Sequence, residues 1–193
     1  KTDIILSGVG GQGILSIAAA IGEAALKEGL YMKQAEVHGM SQRGGDVQSN
    51  LRLSDRPIAS DLIPLGHADL IISLEPMESL RYLPYLNKEG WLVTNSQPFI
   101  NIPNYPDLEK VKAELDKLPH KVVLDVEAIA KEAGSMRAAN IVMLGAATPF
   151  LGIEYEKIED GVRSIFARKG EEIVAMNLKA LKAGYELAQK HNQ

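Results

Sequence analysis

The sequence has no cysteine in its 193 residues. That excludes disulfides, thiolate zinc sites, a cysteine nucleophile and any all-cysteine iron–sulfur cluster on this chain. It also lacks a basic excess: 21 Lys and Arg stand against 25 Asp and Glu, a formal charge of -4. Tracking a phosphate backbone needs the opposite balance, so nucleic acid is not an expected partner. No apolar run approaches the roughly 20 residues of a membrane span. The opening Lys1-Thr2-Asp3-Ile4-Ile5-Leu6 runs into a strand-like segment rather than a signal peptide. The expected location is therefore the cytoplasm, with no membrane association. The histidines at 38, 67, 120 and 191 show no ligand spacing such as H-E-x-x-H, and no metal site is expected.

What is present is an ordinary apolar content of 46%, enough for one sizeable core. No linker divides the chain, so residues 1–193 are expected to form a single domain. Residues 3–7 are a short apolar run closed by Gly8, and Ile17, Ala18, Ile21 and Ala25 then share a helical face that ends at Gly29. Further strands are expected at 30–35, 47–53, 69–74, 91–94 and 122–124, the second of these half-exposed because Val47, Ser49, Leu51 and Leu53 alternate with polar residues. Helices are expected at 77–86, 108–118 and 138–147, with a stripe of Ile158, Val162, Ile165 and Phe166 and a last helix from Glu171. That helix carries Val174, Leu178, Leu181, Tyr185 and Ala188 on one face, which is expected to pack on the sheet. The three prolines between 97 and 107 mark a loop. Alternating strands and helices predict an α/β fold, a three-layer Rossmann-like sandwich around a mostly parallel sheet.

Gly8-Val9-Gly10-Gly11-Gln12-Gly13 follows the first strand and opens the first helix. Free N–H groups and the positive dipole end attract anions at that place, and the spacing fits G-x-G-x-x-G. Gly8 suits the turn, Gly10 close approach of a ligand and Gly13 packing of helix on strand. The Walker spacing is also met, but Ile14-Leu15 replaces the required Lys-Ser/Thr, which excludes that class of ATPase. For NAD, Glu36 is the acid placed to bind a ribose. The amide of Gln12 could cap the helix or reach a ligand oxygen.

A second constellation, Glu36-Val37-His38-Gly39-Met40-Ser41-Gln42-Arg43-Gly44-Gly45-Asp46, gathers an acid, an imidazole, an amide, a guanidinium and glycines. Arg43 is suited to grip a phosphate or carboxylate in two-pronged fashion, or to pair with Glu36 or Asp46 and fix the loop. His38 could carry a proton or serve as a hydrogen-bonding strut. If the sheet is parallel, Ser73, Glu75, Asn95 and Ser96 face the same crevice as the glycine turn. No G-x-S-x-G elbow or Ser-His-acid set is present, and no catalytic residue is assigned to this chain.

Residues 5–13, residues 36–45 and Ala68-Asp69-Leu70-Ile71-Ile72 together resemble the gamma domain of pyruvate/2-oxoacid:ferredoxin oxidoreductases, and 138–146 are similar to that family's late helix. Glu-Val-His-Gly-Met ahead of Gln-Arg-Gly-Gly most resembles the small subunits of the indolepyruvate branch. The resemblance implies oxidative decarboxylation of a 2-oxoacid with coenzyme A, reducing ferredoxin. It also implies that thiamine diphosphate and the clusters lie on a larger partner subunit, because this chain lacks cysteine and the Gly-Asp-Gly start of the thiamine diphosphate motif. The expected cofactor-binding residues are Gly8, Gly10, Gly11, Gln12, Gly13, Gln42, Arg43, Gly44 and Gly45, completing the partner's site by contacting the substrate carboxylate, the diphosphate or coenzyme A at the subunit interface, among which the sequence does not choose. With 5% aromatic residues the sequence shows no stacking platform for an indole. Two alternatives stand beside this reading: an autonomous NAD(P)-binding oxidoreductase, and a purely structural subunit.

Overall fold

The computed structural model describes residues 1–40 and 44–191. The chain runs β1 (Thr2–Val9), α1 (Ile14–Lys27), β2 (Tyr31–His38), β3 (Asp46–Ser54), β4 (Ala68–Ser73), α2 (Pro76–Arg81) and β5 (Leu86–Asn95). It continues through α3 (Leu108–Asp116), β6 (Lys121–Leu124), α4 (Val126–Ala133), α5 (Ala139–Ala147), α6 (Tyr155–Phe166) and α7 (Glu171–His191). One sheet holds the strands in the order β2-β3-β1-β4-β5-β6. β1, β4, β5 and β6 pair in parallel, while β3 is antiparallel to both β1 and β2. Only β3 is therefore reversed, and the expected α/β fold with a mostly parallel sheet is what forms. The reversal has a simple cause: the connection 39–45 is too short for a crossover, so β2 and β3 pair as a hairpin.

The continuous apolar strands reflect burial on both faces. On the α1 side, Ile4, Leu6, Leu70, Ile72 and Val93 pack with Ile17, Ile21, Ile141 and Leu144. On the other, Ile5, Ile71 and Leu92 meet Tyr82, Val111 and Leu115. α1 and α2 thus follow adjacent parallel strands onto opposite faces. By topology, the carboxyl ends of β1 and β4 form the switch point at which open α/β sheets take ligands.

Four sequence expectations are corrected. β3 is not half-exposed: residues 49–54 are buried on both faces. The connection 55–67 covers the far face, where Arg52 donates to both carboxylate oxygens of Asp3 (2.9 and 3.1 Å) and to the carbonyls of Ser60 and Leu62 (3.1 and 2.9 Å). Burial pushes the Asp3 carboxyl up, but Arg52 and Lys1 outweigh it and hold Asp3 below the ordinary 3.8. A strand covered by a loop keeps its alternating pattern, so the periodicity could not reveal the cover. β2, second, reaches His38, which places Glu36, Val37 and His38 on an exposed edge strand rather than in a loop. Third, the expected helix 77–86 stops at Arg81, because Pro84 lacks the N–H that a continuing helix needs. A short 3-10 turn follows, and Leu86 already begins β5.

Fourth, α7 packs on α5, not on the sheet. A Cβ at Gly184 would lie 2.0 Å from the Val142 carbonyl oxygen, and one at Gly145 2.0 Å from that of Leu181. The two backbones touch, and only glycine admits that approach. α5 itself, buried from Ile141 to Ala147, already occupies the sheet face. α6 docks on α1 in the same way, with Gly161 against the Ala20 carbonyl.

Candidate functional site

β1 ends at Val9 and the chain turns through 10–12 to Gly13, the N-cap of α1, at φ 88° and ψ 28°. No side chain caps this helix and its first turn has no acid, so its N–H groups and positive dipole end are not offset by its own side chains. Gly11 also has positive φ (100°), with open space where a side chain would stand. The second loop arrives backbone to backbone: the Gly10 N–H donates to the Gly45 carbonyl at 2.8 Å, and the Gly44 N–H to the Gly10 carbonyl at 3.4 Å. The two glycine segments read separately in the sequence thus form one structure. Beside them opens a pocket of about 390 Å³, walled by residues 9–15 and by Glu36, His38 and Val47.

Residues 3–187 match the family described as Pyruvate ferredoxin/flavodoxin oxidoreductase. The chain belongs to this family. It is 38% identical to the indolepyruvate oxidoreductase subunit IorB of Archaeoglobus fulgidus, over 97% of this chain and 96% of that protein. It is 27% identical to the pyruvate/ketoisovalerate oxidoreductases common subunit gamma of Pyrococcus furiosus, over 95% of each chain. Among solved structures, a keto/oxoacid ferredoxin oxidoreductase gamma subunit from Geobacter sulfurreducens superposes with a TM-score of 0.73 at 26% identity, covering 98% of this chain and 99% of the other. The same fold forms 31% of a chain of the 2-oxoglutarate:ferredoxin oxidoreductase of Magnetococcus marinus, with a TM-score of 0.76 at 23% identity.

For a member of this family, the placement of each candidate residue is informative. Gln12 neither caps α1 nor points freely at a ligand. Its Oε1 accepts the Val9 N–H at 2.7 Å and its Nε2 donates to the Leu74 carbonyl at 3.1 Å, tying the end of β1 to the end of β4. Gly8 leaves room for that amide, since a Cβ there would sit 2.8 Å from Gln12 Oε1. Gly13 packs not on the strand but on Asn140 at the start of α5, whose Nδ2 donates to the Gly13 carbonyl at 3.2 Å. Asn140 was not foreseen as part of the site: it lies 127 residues away and nothing local marks it. Gln42 and Arg43, and any pairing of Arg43, lie outside the described residues.

The other crevice candidates serve as scaffold. Ser73 donates to the Glu75 carbonyl at 2.7 Å, and Asn95 reaches the Leu74 carbonyl and the Glu127 carboxylate at 3.3 and 3.0 Å. Glu75 is fully buried. His38 is exposed at the pocket rim, its Nδ1 3.2 Å from the Gly39 carbonyl. Glu36 lines the same pocket. β3 lies between β1 and β2, however, and so sets Glu36 one strand spacing, about 5 Å, farther from the glycine turn than the acid of an all-parallel dinucleotide site.

No cysteine exists to hold iron, and no group of three or more His, Asp or Glu converges on a metal site among the described residues. What the site has to receive an anion is uncapped helix amides, flanking glycine backbone and a pocket of molecular size. No described helix is long and apolar enough to cross a membrane.

Proposed function

We propose that this chain is the small, gamma-type subunit of a ferredoxin-dependent 2-oxoacid oxidoreductase acting on indolepyruvate. In that reaction the 2-oxoacid carboxylate leaves as carbon dioxide, the acyl group passes to the thiol of coenzyme A, two electrons pass to ferredoxin and a proton is released. The observation that carries the reading is the interlock of Gly10 with Gly44 and Gly45 at the uncapped start of α1. It joins both glycine segments beside a helix start suited to an anion, which supports the reading. The name of the Archaeoglobus fulgidus relative at 38% identity supports the indolepyruvate branch.

In this proposal residues 1–193 act as one domain in the cytoplasm and bind a larger subunit. That partner carries thiamine diphosphate, which supplies the carbanion-stabilising chemistry, and the clusters that lead to ferredoxin. This chain contributes positioning. The α1 amides, with Gly8, Gly10, Gly11, Gly13, Gly44 and Gly45 shaping the backbone, hold an anionic group of the substrate, the diphosphate or coenzyme A at the interface, and Gln42 and Arg43 take part in binding it. Fixed dipoles of this kind need no reorganisation when the reacting atoms arrive, which suits a subunit with no assigned nucleophile or base.

The test is to purify the chain with its partner from native cells and assay coenzyme A-dependent ferredoxin reduction with pyruvate, 2-oxoisovalerate and indolepyruvate. A cysteine-rich partner and a preference for indolepyruvate are expected. Recovery of the chain alone, without 2-oxoacid activity, would overturn the reading. In the complex, Arg43→Ala is expected to raise the KM of the anion it holds, whereas unchanged kinetics would leave the chain a structural role only.

A further inference from the structure

A second buried polar network lies beside α2, away from the pocket. Glu75, fully buried, caps that helix: its Oε2 accepts the Glu78 N–H at 2.8 Å. Its Oε1 accepts the Phe99 N–H at 3.3 Å and the Tyr105 hydroxyl. Burial, then the bond to Glu75, pushes the Tyr105 phenol above its ordinary 10.0, so it remains a donor at neutral pH.

These bonds help hold the connection 97–107, whose apolar side chains are only partly buried: Phe99, Ile100 and Ile102 are 43%, 67% and 41% exposed. Polar anchors add to what that partial burial contributes. Besides Glu75, the Gln97 amide donates to Asp125 at 3.0 Å and the Gln97 N–H to Asn95 at 3.3 Å. Midway between the anchors, Asn101 Nδ2 donates to the Gly44 carbonyl. Gly44, at φ +81°, is the residue whose N–H meets the Gly10 carbonyl.

We infer that the connection 97–107 is a positioning element for the glycine site, with Glu75 and Tyr105 as its anchor and Asn101 as its contact. The contacts run unbroken from Glu75 to Tyr105, along the chain to Asn101, across to Gly44 and on to Gly10. Gly44 adopts a conformation that glycine shares with many alternatives, so a bond from outside its own loop narrows that freedom. The effect on turnover rests on the proposed function. The effect on the loop does not.

The experiment follows the Gly10 and Gly44 amides by NMR-detected hydrogen exchange in the full chain, with Asn101→Ala and Tyr105→Phe as variants and Lys112→Ala on exposed α3 as control. Both variants are expected to accelerate the two amides by about tenfold, the scale of one lost hydrogen bond, while Ile5 and Ile71 exchange at wild-type rates. Wild-type exchange at Gly10 and Gly44 in both variants would overturn the inference. In the assembled enzyme, Asn101→Ala is expected to lower kcat/KM by on the order of tenfold without changing subunit stoichiometry. Accelerated exchange with unchanged kcat/KM would overturn the role in positioning. If the wild-type complex turned over no 2-oxoacid, the functional reading would fall and the exchange data would still decide the loop.

Discussion

Replacing Gly13 with alanine loads two separable costs onto one added carbon. The residue sits at φ 88°, where an L side chain is strained by about 1–2 kcal/mol. The new Cβ would also lie 2.5 Å from Asn140 Nδ2. The Asn140 side chain can move aside, but it then loses its bond to the Gly13 carbonyl, a further loss of about 1 kcal/mol. The total is roughly 2–3 kcal/mol, equivalent to roughly 4–12 °C in Tm for a chain of this size. Gly11→Ala serves as the comparison, since its φ is +100° but nothing stands within 4 Å of a Cβ there; it should lose only the strain. The assay is denaturant and thermal unfolding of Gly11→Ala, Gly13→Ala, Asn140→Ala and the Gly13/Asn140 double variant. Alanine at 13 already displaces the Asn140 amide, so the double variant should be about 1 kcal/mol more stable than the sum of the singles. Equal losses at 11 and 13, with strictly additive singles, would refute the argument that α5 presses on the turn through Asn140.

Other sites give sharper or simpler outcomes. Gly184→Ala should cost more than Gly13→Ala, because its Cβ meets backbone at 2.0 Å rather than a side chain that can turn away; a melting temperature near wild type would contradict the α5–α7 packing. Gln12→Glu should be less harmful in acid, where a protonated carboxyl donates to the Leu74 carbonyl, than at pH 7, where the carboxylate opposes it; equal destabilisation at pH 4 and pH 7 would argue against the strut. Asp3 is held below 3.8 in the folded chain. Its contribution is therefore fully present above that pH and lost as pH falls through the folded value. Asp3→Asn should flatten the acid limb of the stability curve and leave Arg52 buried without its partner, a cost of about 3–5 kcal/mol at neutral pH. An unchanged pH profile would count against the pair.

Much of this was legible locally. The apolar run 3–7, the glycines that follow and the Ile17, Ala18, Ile21, Ala25 stripe specify a strand, a turn and a helix because each signal lies within a few residues of what it shapes. The α/β class and the family resemblance follow from signals of the same kind. Two of the errors arose where a distant segment supplied the deciding surface. β3 reads as half-exposed until the connection 55–67 covers it and Arg52 finds Asp3. The stripe on α7 is equally compatible with a sheet or a helix, and Gly184 against Val142 decides for the helix.

By itself, then, the sequence determined most of the elements, the glycine turn and the absence of cysteine ligands for iron, since composition and short-range periodicity act without knowledge of the rest of the chain. Only the tertiary structure decided how Gln12 is used, that Asn140 presses on Gly13, and that Glu75 anchors a connection reaching Gly44. Each of those is a bond between groups brought together by packing the helices on a twisted sheet. A directional bond of about 3 Å depends on where two backbones come to rest, which residue types alone do not specify.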